Sequence, residues 1–266
     1  MINKESKILF FGCGKMGSAI LQNFLDKNIN PKNITIIDPL MLNKISEINC
    51  FSKISDISLE YKADLVIFAF KPQIAADILS EIAKYNIFHQ NSIFISILAG
   101  KKLQFFAEFL GQAAKIIRIM PNLPMAIGEG ISAFITNKNL SQSESKSVMD
   151  LWSKNIELKI ESEIDMFTAI AGSGPAYLFL FAQNFINIAK EGGFDEDSAR
   201  KMVTQMLYGS SKMLLDNNLD IAKLINDVTS KGGTTAAGLE QFELGNFKDL
   251  LKKVVDAAQK RSKELS

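Results

Sequence analysis

The stretch FFGCGKMGSAI, Phe10–Ile20, decides the fold. Gly12, Gly14 and Gly17 fit the spacing G-x-G-x-x-G, an apolar run KILFFG (7–12) leads into them, and a helical pattern leads out. In that context the spacing predicts a strand, a tight turn and a helix that together hold a dinucleotide. Each glycine has its own task. Gly12 permits the turn, Gly14 lets the backbone approach a pyrophosphate where a Cβ would interfere, and Gly17 lets the helix pack closely on the strand. Cys13, Lys15 and Met16 fill the loop between them, whose N–H groups at the helix start face the phosphates. The plain alternative is a glycine-rich turn that holds no ligand.

Working outward, NITIID (33–38), DLVIFAF (64–70), SIFISIL (92–98) and KIIRIM (115–120) are further short, near-continuous apolar runs, mostly separated by amphipathic helical patterns. Parallel strands covered on both faces read this way. GISAFIT (130–136) and NIELKI (155–160) add two strands, with the polar helix SQSESKSVMDLW (141–152) between them. From Glu163 on, strand signals give way to helical periodicity: an apolar segment at 174–191 stopped by Gly192-Gly193, a helix at 196–216 capped by Asp195, then DIAKLINDV (220–228), 235–244 and 246–264. The fold class is therefore α/β, a Rossmann-type doubly wound sheet (1–160), followed by an all-helical dimerisation and substrate domain (161–266). The segments YLFLFAQNFINIA and MVTQMLYGSSKMLL are apolar on more than one face, which predicts an obligate homodimer with intertwined C-terminal helices.

Composition narrows the function. With 266 residues and 47% hydrophobic side chains the chain can bury a substantial core. Thirty basic against 29 acidic residues leave no field for a polyanion, so nucleic acid and anionic membrane are excluded as first partners. Cys13, Cys50 and the single His89 make neither a disulfide framework nor a metal site. No signal-peptide pattern opens the chain, and no uninterrupted apolar run approaches the roughly eighteen residues of a membrane span. A cytoplasmic location and a small-molecule partner are expected.

At the end of the second strand stands Asp38, an acid able to accept hydrogen bonds from both ribose hydroxyls and to repel a 2′-phosphate. Its own segment offers Lys44 as the nearest cation, so the reading leans towards NADH over NADPH, while Asp38-Pro39 is also an ordinary turn opener.

After the dinucleotide fingerprint come ADLVIFAFKPQ (63–73), SILAG (96–100), IIRIMPNLPMAIGEGISAF (116–134), AIAGSGPAYLFLFAQNF (169–185) and DVTSKGGTTAAGLEQFELGNFKDLLKKVVDAAQKRSKEL (227–265). In the same order, and over essentially the whole chain, these resemble the motifs of pyrroline-5-carboxylate reductases, NAD(P)H enzymes that complete proline synthesis. The resemblance implies hydride transfer to a cyclic imine that carries a carboxylate, with the active site between a Rossmann domain and interlocked helical domains. Ala69, Phe70, Lys71 and Pro72 would lie beside the adenine and ribose, though Lys71 also reads as a solvated loop lysine. Asn122, held between Pro121 and Pro124, would bond the nicotinamide amide or support the substrate loop. Ser230, Gly233, Thr234 and Thr235 would grip the carboxylate at a helix start, with the Thr235 hydroxyl reaching the ring nitrogen. Glu161 or Glu163 aligns with a family position near the substrate. Ser173 and Pro175 read as cap and first turn of the 174–191 helix.

Departures from the family pattern are Leu123 for the usual threonine, Ala171 for serine and Lys231 for proline. β-Hydroxyacid dehydrogenases look similar in outline but need a catalytic lysine early in the long helix, where the first lysine here is Lys190. Two other functions remain: a reductase of another small carboxylated imine or keto acid, and an NAD(P)-binding regulator without chemistry.

Overall fold

The computed structural model describes residues 2–40, 47–58, 60–85, 87–152, 154–215 and 220–265. Lys44, the cation nearest Asp38 in the sequence reading, lies outside them. Eight strands, β1 (Ile8–Phe11), β2 (Ile34–Ile37), β3 (Asn49–Phe51), β4 (Ala63–Phe68), β5 (Phe88–Ser96), β6 (Lys115–Met120), β7 (Ile131–Thr136) and β8 (Lys154–Glu157), form one sheet in the order 3-2-1-4-5-6-7-8. All neighbours run parallel except β6 and β7. Strand order reverses between β1 and β4, which opens a crevice at their carboxyl ends, the place where such sheets bind ligands. Seven of these strands coincide with the apolar runs. β3 does not: at three residues, half-buried on the sheet edge, it is too short to leave an apolar signature.

Both faces are covered. Helix α1 (Lys15–Asp26) presses Ala19, Ile20 and Phe24 onto one of them. There Phe24 meets Trp152 edge-on at 6.0 Å and Phe10 at 6.1 Å, and all three are essentially buried. Each such side chain contributes about 1.5–3 kcal/mol. Lys27 donates to the carbonyls of Asp150 (2.7 Å) and Trp152 (2.6 Å), locking the end of α1 to this corner. On the other face, packed by α2 (Ala75–Ile82) and α3 (Leu103–Leu110), Phe68 stacks on Phe106 at 5.7 Å and on Phe94 at 6.2 Å.

Helix α4 (Gln142–Met149) starts with a reciprocal cap: Ser141 Oγ accepts from the Glu144 N–H, and Glu144 Oε2 accepts from the Ser141 N–H. Lys115 on β6 adds a 2.6 Å ion pair to Glu144. Together they hold that carboxyl at about 2.

The helical half begins with α5 (Glu163–Phe167) and a π-helical turn, Thr168–Gly172. By internal packing, 2–173 and 258–265 form one compact unit and 174–257 another. The second comprises α6 (Gly174–Glu191), α7 (Glu196–Leu214), α8 (Ile221–Asp227), α9 (Thr234–Leu244) and the first part of α10 (Phe247–Glu264). Asp195 caps α7 by accepting from the Ser198 N–H at 2.9 Å, and Gly193, at φ +98°, closes α6. Ser173 is not a cap. Its backbone is helical (φ −87°, ψ −23°) and its N–H donates to Thr168 O at 2.8 Å, because the π turn delivers the chain into α6 already wound. Among the described residues of the second unit only Ala199 and Val203 are buried, while Phe179, Leu180, Ile188 and Tyr208 stand more than half exposed. A helical unit that leaves such side chains open lacks the apolar cover it needs in water.

The low carboxyl of Glu144 sets a pH dependence. Because its ionised form is favoured in the folded chain, its contribution is complete above pH 4.5 and lost as pH falls towards about 2. The stability deficit of Glu144→Gln, read by urea unfolding, should be largest above that window and should close within it. A deficit independent of pH would remove the ion pair and cap as its cause.

Candidate active site

At the carboxyl ends of β1, β2 and β4 lies a cleft of ≈ 740 Å³. Gly12, Gly14, Lys15 and Met16 line it from the glycine loop, Asp38 from the tip of β2, and Ala69, Phe70, Lys71 and Pro72 from the turn after β4. These nine residues of the sequence reading therefore share one wall. Gly12 takes φ +82°, and a Cβ on it would come 2.8 Å from Ala69 O, so the turn admits only glycine. Gly17 is packed: a Cβ there would lie 3.2 Å from Gly12 O and 3.3 Å from Ala69 Cβ. Gly14 differs, since a Cβ would meet nothing within 4 Å and would project into open space. It also precedes α1 without a side-chain cap, so the first N–H groups of the helix have no intrahelical partner. Pro72 opens a short 3-10 turn ahead of α2, where its missing N–H costs nothing.

Asp38 is more deeply engaged than the sequence suggests. Its Oδ2 accepts from the Cys13 N–H at 2.7 Å and its Oδ1 from the Leu40 N–H at 2.9 Å, tying the tip of β2 to the glycine loop. Cys13 itself faces inward, 7% exposed. Burial pushes its thiol up, against a weaker opposing effect of the Ser18 hydroxyl, and the nearby Asp38 carboxylate adds to the rise. It contributes backbone to the loop and no nucleophile.

Asn122 and Glu161 lie apart from the cleft wall. Asn122 is buried and bonded at both ends: Nδ2 donates to Ala171 O at 3.1 Å, and Oδ1 accepts from the Ile131 N–H at 3.0 Å. Pro175, four residues after Ala171, has no N–H to offer that carbonyl, and Asn122 supplies one instead. Glu161 Oε1 pairs with the buried Arg118 at 2.9 Å and accepts from the Leu103 N–H at 2.8 Å. Glu163, the other acid considered, accepts from the N–H groups of Lys159 and Ile160 through Oε2.

The Gly-Gly-Thr-Thr segment forms the start of α9. Gly232 takes φ +70°, and Gly233 stands before the helix with no side-chain cap. A Cβ on Gly233 would fall 2.3 Å from Ser230 Oγ, so the missing side chain is what lets the serine fold over the turn. Ser230 and Thr234 are exposed, Thr235 is half-buried, and their hydroxyls donate to no group among the described residues. The turn thus presents hydroxyls and uncapped N–H groups with no side-chain partner among the described residues. Sequence reasoning missed Ser52, Lys53 and Ile54 in the cleft wall, since they follow β3, the strand it could not see.

Residues 161–265 match the family model for the pyrroline-5-carboxylate reductase dimerisation domain, and 7–100 match that of coenzyme F420-dependent NADP oxidoreductases. The pyrroline-5-carboxylate reductases of Aquifex aeolicus and Arabidopsis thaliana are each 32% identical to this chain, covering 96% and 98% of it and 95% of their own length. The chain belongs to the pyrroline-5-carboxylate reductase family. Among solved structures, the Plasmodium falciparum family member with NADP bound superposes with a TM-score of 0.87 at 31% identity over 98% of both chains, and the Coxiella burnetii one with 0.86 at 26% over 98% and 99%. Family membership also gives context to Glu163–Glu191, a helical stretch long and apolar enough to cross a membrane by length and composition, which falls inside the dimerisation match.

The glycines separate stability from binding. Gly12→Ala should cost about 1–3 kcal/mol of stability through strain at positive φ. Gly14→Ala should unfold like the parent chain in a thermal melt yet bind a nicotinamide dinucleotide far more weakly, measured by quenching or enhancement of its fluorescence. Equal binding by parent and Gly14→Ala would dissociate the loop from dinucleotide recognition.

Proposed function

We propose that this protein reduces 1-pyrroline-5-carboxylate to proline with NADPH or NADH, as a cytoplasmic homo-oligomer built on a dimer. The observation that carries the reading is that one chain of this family holds both a glycine-loop cleft and an uncapped Gly-Gly-Thr-Thr helix start. The residues present fit a dinucleotide: the space a Gly14 side chain would fill is open, the first N–H groups of α1 lack partners, and Asp38, Ala69, Phe70, Lys71 and Pro72 complete the wall. Cys13 and Gly17 shape the loop from behind, and no metal is required. The dinucleotide, when bound, supplies the hydride that adds to the imine carbon.

What the chain itself does is bind, orient and place a proton. Ser230, Gly233 and Thr234 hold the substrate carboxylate at the N-terminus of α9, where backbone N–H groups and the helix dipole favour an anion. Thr235 hydrogen-bonds the ring nitrogen, orienting the protonated iminium so that hydride addition leaves a neutral amine. Asn122 and Glu161 act from positions already fixed within the chain. The second hydrogen of Asn122 Nδ2 and the second oxygen of Glu161 are what each has left for the nicotinamide amide and for the substrate. We take the functional boundary at 160/161, a reading supported by the start of the dimerisation match at 161, while packing divides the chain at 173/174. Support for a dimer is the open apolar surface of α6 and α7 together with that match. The solved relative with NADP bound supports use of a phosphorylated dinucleotide.

The direct test is oxidation of NADPH and of NADH, separately, with 1-pyrroline-5-carboxylate as sole acceptor. Turnover is expected. Dinucleotide binding without turnover would favour a different imine or a regulator. In the same assay Thr235→Ala should lower kcat about a hundredfold or more while leaving cofactor affinity unchanged, within the usual range for one proton-handling group. An unaltered kcat would take Thr235 out of the mechanism. Sizing chromatography should show no active monomer.

A further inference from the structure

Asp38 marks the ribose end of the cleft, and the three residues that follow β3 stand next to it. In register, Phe51 on β3 opposes Ile37 on β2, and the Asp38 N–H donates to Phe51 O at 3.0 Å. The chain then leaves β3 through Ser52 and Lys53, and both line the same cleft wall as Asp38. Lys53 is exposed, and among the described residues its ammonium makes no ion pair. Asp56, the nearest acid in sequence, accepts instead from the Lys53 backbone N–H at 3.2 Å. Asp38 has its two oxygens drawn back onto the Cys13 and Leu40 N–H groups, which offset its charge. Lys15 and Lys71 line the cleft as well, but Lys15 opens α1 behind β1 and Lys71 belongs to the turn after β4, on the far side of β1 from β2 and β3.

We propose that Lys53, assisted by the Ser52 hydroxyl, is the residue that selects a 2′-phosphorylated dinucleotide in this protein and overrides the acid at Asp38. The inference rests on the cleft being a dinucleotide site. An ammonium with no ion pair among the described residues, set at the ribose edge, gives a charge-assisted contact to a phosphate and nothing comparable to a 2′-hydroxyl. Because the pair is exposed, salt weakens it, so the preference for the 2′-phosphate falls as ionic strength rises.

The test uses the full chain and two probes without nicotinamide, adenosine 2′,5′-bisphosphate and adenosine 5′-monophosphate, titrated by calorimetry. The parent should prefer the bisphosphate. Lys53→Ala should lose about tenfold of that preference, the size of one charge-assisted hydrogen bond, with monophosphate affinity unchanged; Lys53→Glu should lose more. Lys53→Arg should keep it. An unchanged preference in Lys53→Ala, with the monophosphate still bound, overturns the assignment while leaving the cleft reading intact. Failure of the parent to bind either probe overturns the cleft reading, and this assignment with it. Circular dichroism of each variant keeps a folding defect from passing as a loss of recognition.

Discussion

A methyl group on Gly12 would sit 2.8 Å from the carbonyl oxygen of Ala69, and that closeness organises the cofactor half of the molecule. Hydrogen bonds draw three strand ends to one point: the Gly12 N–H reaches Ile37 O at 2.9 Å, the Ala69 N–H reaches Phe11 O at 2.8 Å, and the Cys13 N–H reaches the Asp38 carboxylate. The turns after β1 and β4 therefore pack backbone on backbone, and the Asp38 carboxylate ties the tip of β2 to them. A floor made of backbone is what lets a pyrophosphate approach main-chain N–H groups directly.

The helical unit faces the opposite constraint. Its helices are well punctuated, by the Asp195 cap and the left-handed Gly193, yet they bury almost nothing on their own. Local signals suffice to fix where these helices start and stop, and burial has to come from elsewhere. The Gly-Gly-Thr-Thr turn shows the same incompleteness on a smaller scale, with a helix start and three hydroxyl side chains that find no acceptor or donor among the described residues.

Three buried or half-buried polar groups, Asn122, Glu161 and Arg118, hold the segments around the carboxyl edge of the sheet. Each bond answers a specific need. Asn122 serves the carbonyl that Pro175 cannot, and Arg118 gives Glu161 a cation in exchange for burial. Such partners are separated by 43 and 49 residues, so no local pattern announces them.

The sequence by itself determined the parts governed by short-range rules. Gly12, Gly14 and Gly17 specified the loop because only glycine fits a positive φ or a close approach; the central strands were visible as apolar runs because both faces of the sheet are covered there, whereas β8 is exposed; and Asp195 marked a helix start because a carboxylate satisfies orphan N–H groups. Only the tertiary structure decided what depends on neighbours. It revealed β3, whose three residues are a strand solely because β2 pairs with them, and so brought Ser52 and Lys53 beside Asp38. It also turned the Asp38 carboxylate onto Cys13, and changed the expected cap at Ser173 into the end of a π turn. Periodicity encodes which face of a segment is buried, whereas the partner of a polar side chain is fixed only when distant segments meet.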